Sequence, residues 1–324
     1  MKKVLRLLDF IFLARPVLFF PVWTVFFAGL IAAQIPDFGA FSRAEWLHVQ
    51  EPLKSGRFWL SFLAITPVMA AVFIINQFTD AQSDLENNKL FLLAHGIVPK
   101  RAAVAEALLF LLVGLGAAAA VSRTGLALAL LLVLVTGAAY SLPPFLWKDR
   151  PFPGLVVNIT GAMLTFFFGW QTVARLGLQA FQHSLPYMFA VGAVYLLTTI
   201  LDRRGDRAIG KITFAVRFGE SCTVRWALAF EGLCLAWAWW HRDPVIFFPA
   251  LFSLPFFLLL VFRYSESRVV PATRFPILFL SLAVAFYVPE YLLLMLGVYL
   301  LSKWYYRERF HLHYPSLTQI VEEE

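Results

Sequence analysis

Asn76, Asp80 and Asp84 lie four residues apart at the end of a long apolar run, and Asp202 and Asp206 repeat that spacing after a later one. On a helix, residues at i, i+4 and i+8 drift only about 40° and rise about 6 Å per step, so the first three form one oxygen-bearing stripe. Carboxylates beside bilayer-length apolar segments are costly and need a compensating charge. A divalent metal would supply it. Magnesium takes six oxygens, keeps several waters, and is held by one or two carboxylates together with substrate phosphates. Two acid pairs on neighbouring helices could hold two such ions against a diphosphate, with Arg203, Arg204, Arg207 and Lys211 neutralising the remaining charge. Pairing with arginines in a solvated loop would account for either motif alone. Two motifs on one side of a membrane favour the metal.

The elements that must position these acids are membrane helices. The chain of 324 residues is 60% hydrophobic and 17% aromatic, with a mean hydropathy of +0.73, and several runs near twenty residues can each span a bilayer. Spans are expected at about 16–33, 58–78, 102–121, 125–140, 154–174, 185–201, 226–240, 245–262 and 275–302, nine in all, with short connections that leave one membrane-embedded domain over 1–324. The first acidic stripe leaves the second span and the second leaves the sixth, a placement compatible with an old duplication of a four-helix unit. Residues 1–15 read as an uncleaved interfacial helix, with Val4, Leu8, Ile11 and Phe12 on one face. Lys and Arg are concentrated at the N-terminus and in the connections on its side, which makes that side, and both acidic motifs, cytoplasmic. The expected setting is a bacterial or archaeal inner membrane.

The net charge of +7 is explained by these basic loops, so nucleic-acid binding is not expected. Cys222 and Cys234 form neither a metal cluster nor a disulfide framework. The terminal span contains Pro289 and Glu290 near its middle and ends in a basic-then-acidic tail, 303–324; a tilted single helix puts that tail outside, whereas a broken one returns it to the cytoplasm. The connection Tyr140-Ser141-Leu-Pro-Pro-Phe-Leu-Trp-Lys148 lies on the acidic side. Lys148 could reach a phosphate there while Tyr140 and Ser141 donate hydrogen bonds, or the run could simply be a proline-terminated helix with basic residues at the headgroups.

Asn76-x3-Asp80-x3-Asp84, the Tyr140-Ser-x-Pro-Pro run with Lys148, and Asp202-x3-Asp206-x3-Gly210-Lys211-x-Thr213 together resemble the UbiA superfamily of intramembrane prenyltransferases, in order and spacing over most of the chain. The resemblance implies an all-α bundle of nine transmembrane helices, capped by motif-bearing loops over a cavity that opens to lipid. It implies transfer of an isoprenyl group from a prenyl diphosphate to a lipophilic acceptor, with Mg2+ as cofactor and membrane lipid as surroundings. Asn76, Asp80 and Asp84 match the first metal-diphosphate motif, and Asp202 and Asp206 the second; Lys211, Tyr140, Ser141 and Lys148 match diphosphate contacts. The run after Asp84, Asn87-Asn88-Lys89-Leu-Phe-Leu-Leu-Ala-His95-Gly96, lacks the Arg-Pro pair that many members carry, which leaves the acceptor open. A transporter or channel is the main rival, but it would place isolated acids at mid-membrane rather than clusters at span ends. An alcohol phosphatidyltransferase would need an Asp-Gly-x2-Ala-Arg element that is missing.

Overall fold

The computed structural model describes residues 2–35, 38, 43–86 and 92–315. Residues 87–91, at the start of the atypical run after Asp84, and 316–324 of the tail lie outside them. The described chain is all-α: α1 (Lys2–Leu13), α2 (Phe19–Ala32), α3 (Arg43–Gln50), α4 (Gly56–Glu86), α5 (Lys100–Val121), α6 (Arg123–Leu132), α7 (Pro151–Trp170), α8 (Leu178–Leu201), α9 (Arg203–Ala208), α10 (Phe214–Phe218), α11 (Glu220–Trp240), α12 (Pro244–Phe262), α13 (Glu266–Tyr287) and α14 (Pro289–Phe310). Seven of the described segments are long and apolar enough to cross a membrane, and α6, continued by a π-helical stretch over Val133–Ala139, is a shorter apolar one. The protein is therefore an integral, multi-pass membrane protein, and the tally of nine crossings holds approximately.

Helix length explains why the first acidic stripe can stand clear of the lipid. At 1.5 Å per residue, the 31 residues of α4 extend about 46 Å, against a hydrocarbon core of about 30 Å. Its last turns, with Asp80 and Asp84, can project beyond the apolar layer. Around α4 and α5 the bundle continues through α7, α8, α11, α12 and α13, each packed on its neighbours. Between α2 and α7 the backbones touch: a Cβ on Gly29 would lie 2.0 Å from the Phe166 carbonyl oxygen, and one on Gly169 would lie 1.8 Å from that of Phe26. Without hydrophobic drive between helices in lipid, such close approach supplies the packing energy.

The end of the chain departs from a single ninth span. α13 stops at Tyr287, and Pro289 starts α14, which runs back until Tyr305 and Arg309 meet α1. Tyr305 Oη donates to Asp9 Oδ1 at 2.7 Å, and Arg309 donates from Nε and Nη2 to the two carboxylate oxygens, each at 3.1 Å. Asp9 is 4% exposed, and the Phe12 and Tyr305 rings stack above it at 3.7 Å. The buried face of α1 is consequently Leu5, Asp9, Phe12 and Leu13, while Val4 and Ile11 of the expected stripe are exposed. Proline at N1 lacks only an N–H that the helix does not use, so Pro289 favours a new start.

Gly169→Leu is expected to destabilise the protein by at least about 1–3 kcal/mol through overpacking, read as a lower midpoint of thermal unfolding in detergent. Gly232→Ala, whose Cβ would meet nothing within 4 Å inside α11, should leave the midpoint unchanged or slightly raised.

Candidate active site

Asn76, Asp80 and Asp84 of α4 and Asp202 and Asp206 at the α8–α9 junction line one cavity of about 290 Å3. α8 ends at Leu201, and Asp202 caps it before the single turn of α9 carries Asp206 inward. A turn at Gly210 (φ 78°) reverses the chain, and the Lys211 N–H donates to the Asp206 carbonyl at 2.9 Å. The next N–H, of Ile212, donates to the Asp149 carbonyl at 3.1 Å, tying this loop to the connection that follows the π-helical stretch. Two loops distant in sequence thus form one lid edge.

Their lysines converge on Asp80. Lys148 Nζ and Lys211 Nζ each donate to Asp80 Oδ1 at 2.6 Å, and Lys148 also reaches Thr79 Oγ1 at 2.6 Å and Asn76 Oδ1 at 3.1 Å. Burial pulls the Lys148 pKa below the ordinary lysine value even with Asp80 beside it. Burial also opposes the charge of Lys211, but the carboxylates of Asp80, Asp149 and Asp206 outweigh it and raise its pKa. Lys148, Asp84 and Asp206 are each about 5–6% exposed, so the cluster is largely withdrawn from water.

The other expected residues divide by position. Tyr140 lines the cavity together with Asn158 and Tyr195. Ser141 is fully buried and does not line it; its hydroxyl donates to Asn76 Oδ1 at 3.0 Å and so orients that carboxamide. Arg207 is not brought in. Successive helical residues differ by about 100°, so the rotation that buries Asp206 turns Arg207 outward, where it is exposed. Arg15, Asn158, Tyr195, Thr198, Thr199 and Thr213 also line the cavity and were not singled out as site residues from the sequence. Asn158 had a readable signal, since it is an amide in the middle of an apolar helix. Arg15 is held at φ 55° just before Pro16, a backbone state that spacing does not reveal.

Among the described residues, no three His, Cys, Asp or Glu side chains are already gathered around a metal position. The donors are nonetheless all hard oxygens, four carboxylates and one carboxamide around a single space. That set fits Mg2+, whose remaining positions are filled by water and phosphate oxygens. Leu18 and Asn158 also line two further chambers of about 300 Å3 each, both walled mainly by apolar side chains.

A helical membrane bundle with a polar, lysine-bridged carboxylate cavity above apolar chambers defines a class of lipid-facing enzyme folds. The chain belongs to the UbiA prenyltransferase family, whose model matches residues 38–283. It is 37% identical over 100 residues to a chloroplastic 2-acyl-4-prenylphloroglucinol 6-prenyltransferase of Humulus lupulus, a match covering 28% of this chain and 24% of that protein. It is 28% identical over 176 residues to a probable homogentisate phytyltransferase 2, chloroplastic, of Oryza sativa subsp. japonica, covering 50% and 46%. The matches therefore span less than half the length of either relative. The fold is that of a UbiA homolog from Archaeoglobus fulgidus solved with GPP and Mg2+, with a TM-score of 0.64 at 19% identity over 86% of this chain and 99% of that one.

Removing one member of a buried ion cluster strands its partners. Asp80→Asn leaves two ammonium groups without their shared anion, whereas Lys148→Met leaves Asp80 still bound by Lys211. Thermal unfolding of the unliganded protein in detergent should therefore show the larger loss for Asp80→Asn.

Proposed function

We propose that this chain, acting as one membrane-embedded unit, transfers an isoprenyl group from a prenyl diphosphate to a lipophilic acceptor and releases diphosphate. The observation that carries this reading is the joining of one carboxylate-and-lysine cavity to two apolar chambers through Leu18 and Asn158. A prenyl diphosphate has that division: a head bearing concentrated negative charge and a hydrocarbon tail. Names of the relatives, which include a phytyltransferase and an acylphloroglucinol prenyltransferase, support the same substrate class.

In this reading Asn76, Asp80, Asp84, Asp202 and Asp206 hold Mg2+. When bound, Mg2+ supplies charge neutralisation for the diphosphate as it departs. Lys148 and Lys211 offer ammonium donors that a phosphate oxygen can share with Asp80, and charge-assisted bonds of this kind strengthen as negative charge develops on the leaving group. Ser141 fixes Asn76, while Tyr140 stands where the polar cavity meets the first apolar chamber. The allylic C1–O bond breaks with its electron pair going to diphosphate, C1 bonds to the acceptor, and the acceptor loses a proton. Val22, Met69, Val72 and Phe73 line the first chamber, which excludes water from the electron-deficient carbon. The basic loops on the side of the N-terminus support placing the site on the cytoplasmic face of the membrane.

Purified protein given geranylgeranyl diphosphate and a panel of phenolic acceptors, homogentisate and an acylphloroglucinol among them, should release diphosphate and form prenylated product only with divalent metal. EDTA should abolish turnover, and Asp80→Asn and Asp202→Asn should each reduce it about a hundredfold or more. Full activity in both variants would refute the assignment.

A further inference from the structure

The chamber on the α11–α13 side contains one group that diphosphate chemistry leaves unused. Glu231, at the middle of α11, lines that chamber and is 2% exposed. Its Oε1 has no hydrogen-bond partner among the described residues. The other polar side chains around it are largely committed. Thr24 Oγ1 is bonded to Ser281 and Tyr291, both at 2.7 Å, Ser253 donates to the Pro249 carbonyl at 2.7 Å, and Thr273 donates to the Val269 carbonyl at 2.8 Å. Asn158, Tyr195 and Thr198 line its end nearest the acidic cavity, and the rest of the wall is mainly apolar, with Val25, Val191, Val194, Ile246, Ile277 and Leu280 among it. A carboxyl group buried without a partner costs stability, and such a group in a membrane interior points to a ligand.

The geometry also separates two routes from the polar cavity. The chamber containing Met69, Val72 and Phe73 shares Arg15, Asn76 and Tyr140 with the acidic site, whereas the Glu231 chamber meets it at Tyr195 and Thr198. Leu18 and Asn158 stand at the junction of all three. One chamber therefore opens beneath the ligands of α4 and the other beneath Asp202 at the end of α8, and the two share Pro21, Val25 and Val191, so two lipophilic molecules could meet at the junction.

Building on the prenyl-transfer reading, we infer that the Glu231 chamber is the acceptor site and that the Glu231 carboxyl group binds a hydroxyl of the acceptor. A hydroxyl suits this place because it can donate to the partnerless Oε1, whereas an ether or a ketone has no proton to give it and an ammonium would bring a full charge into an apolar chamber. The acceptor class is therefore a largely apolar molecule bearing a hydroxyl, narrowed by the names of the relatives to a phenolic or enolic one, held by a hydrogen bond to Glu231 with most of its surface against aliphatic side chains.

Equilibrium titration of the purified full-length protein with an acylphloroglucinol, and separately with its fully O-methylated ether, tests this without any diphosphate present. The wild type should bind the phenol about tenfold or more tightly than the ether, Glu231→Met should bind both alike, and Glu231→Gln should keep most of the difference. Wild-type protein that binds no phenol, or binds the two alike, overturns the inference, as does Glu231→Met that still discriminates. Should Glu231→Met fail to fold, labelling of wild-type Glu231 by a hydrophobic carbodiimide, read by peptide mass spectrometry, decides the matter. Protection by the phenol and not by the ether is expected, and equal labelling overturns the site. A parallel titration with geranyl diphosphate and Mg2+ keeps the two readings apart, because failure of that ligand to bind removes the prenyl-transfer reading while leaving the phenol and ether arms interpretable.

Discussion

The carboxylate of Asp80 is the interaction on which the rest of the site depends. One oxygen accepts from two lysines that arrive on different loops, one after the π-helical stretch and one after α9. Lys148 is buried and Lys211 half-buried, and an ammonium withdrawn from water is unstable without an anion beside it. Asp80 therefore fixes where both loops close over the bundle. In return, the lysines allow α4 to carry a carboxylate at the border of the apolar layer. The backbone bond from Ile212 to Asp149 ties the two loops together beside this shared contact.

The same constraint accounts for the division between polar and apolar space. Charge is collected at one end of α4 and α8, where the lysines and the short α9 can reach it. Beneath that cap, α2 and α7 approach backbone to backbone through Gly29 and Gly169, and α7 contributes Asn158 at the point where the cavities meet. A rigid α2–α7 contact thus holds the residues at the junction, while α4, α8, α11 and α13 supply the outer walls. Under the proposed chemistry, the polar end recognises a diphosphate by charge and the apolar spaces recognise hydrocarbon by burial. Glu231 adds a directional contact in the chamber assigned to the acceptor.

Most of this arrangement could be read from the residues, and the remainder has identifiable causes. Asn76, Asp80 and Asp84 were legible because a four-residue spacing makes a stripe on any helix, and their apolar context made the acids conspicuous. Lys148 was recognised through the pattern around Tyr140, although its attachment to Asp80 was not, since contacts between residues far apart in sequence leave no spacing. Arg207 was expected at the site from its place beside Asp206 in the second acidic motif; helical phase within α9 takes it to the surface while admitting Asp206. The division of the last segment at Val288 was signalled by Pro289 and Glu290, but the deciding interaction is the bond of Tyr305 and Arg309 to Asp9, nearly three hundred residues away. Asn158 and Glu231 are polar residues flanked by apolar ones within α7 and α11, a signal present in the sequence and outweighed there by the clustered acids.

The central claim is that the Asp80 cluster and the chambers below it form one binding site for a prenyl diphosphate. Its most direct test is an experimental structure of the protein with Mg2+ and a non-hydrolysable prenyl thiolodiphosphate. The account predicts metal density between the Asp80/Asp84 and Asp202/Asp206 pairs, phosphate oxygens within hydrogen-bond reach of Lys148 and Lys211, and a hydrocarbon tail in the chamber lined by Met69, Val72 and Phe73. A diphosphate bound elsewhere, with Asp80 still holding both lysines and the chambers unchanged, would contradict it.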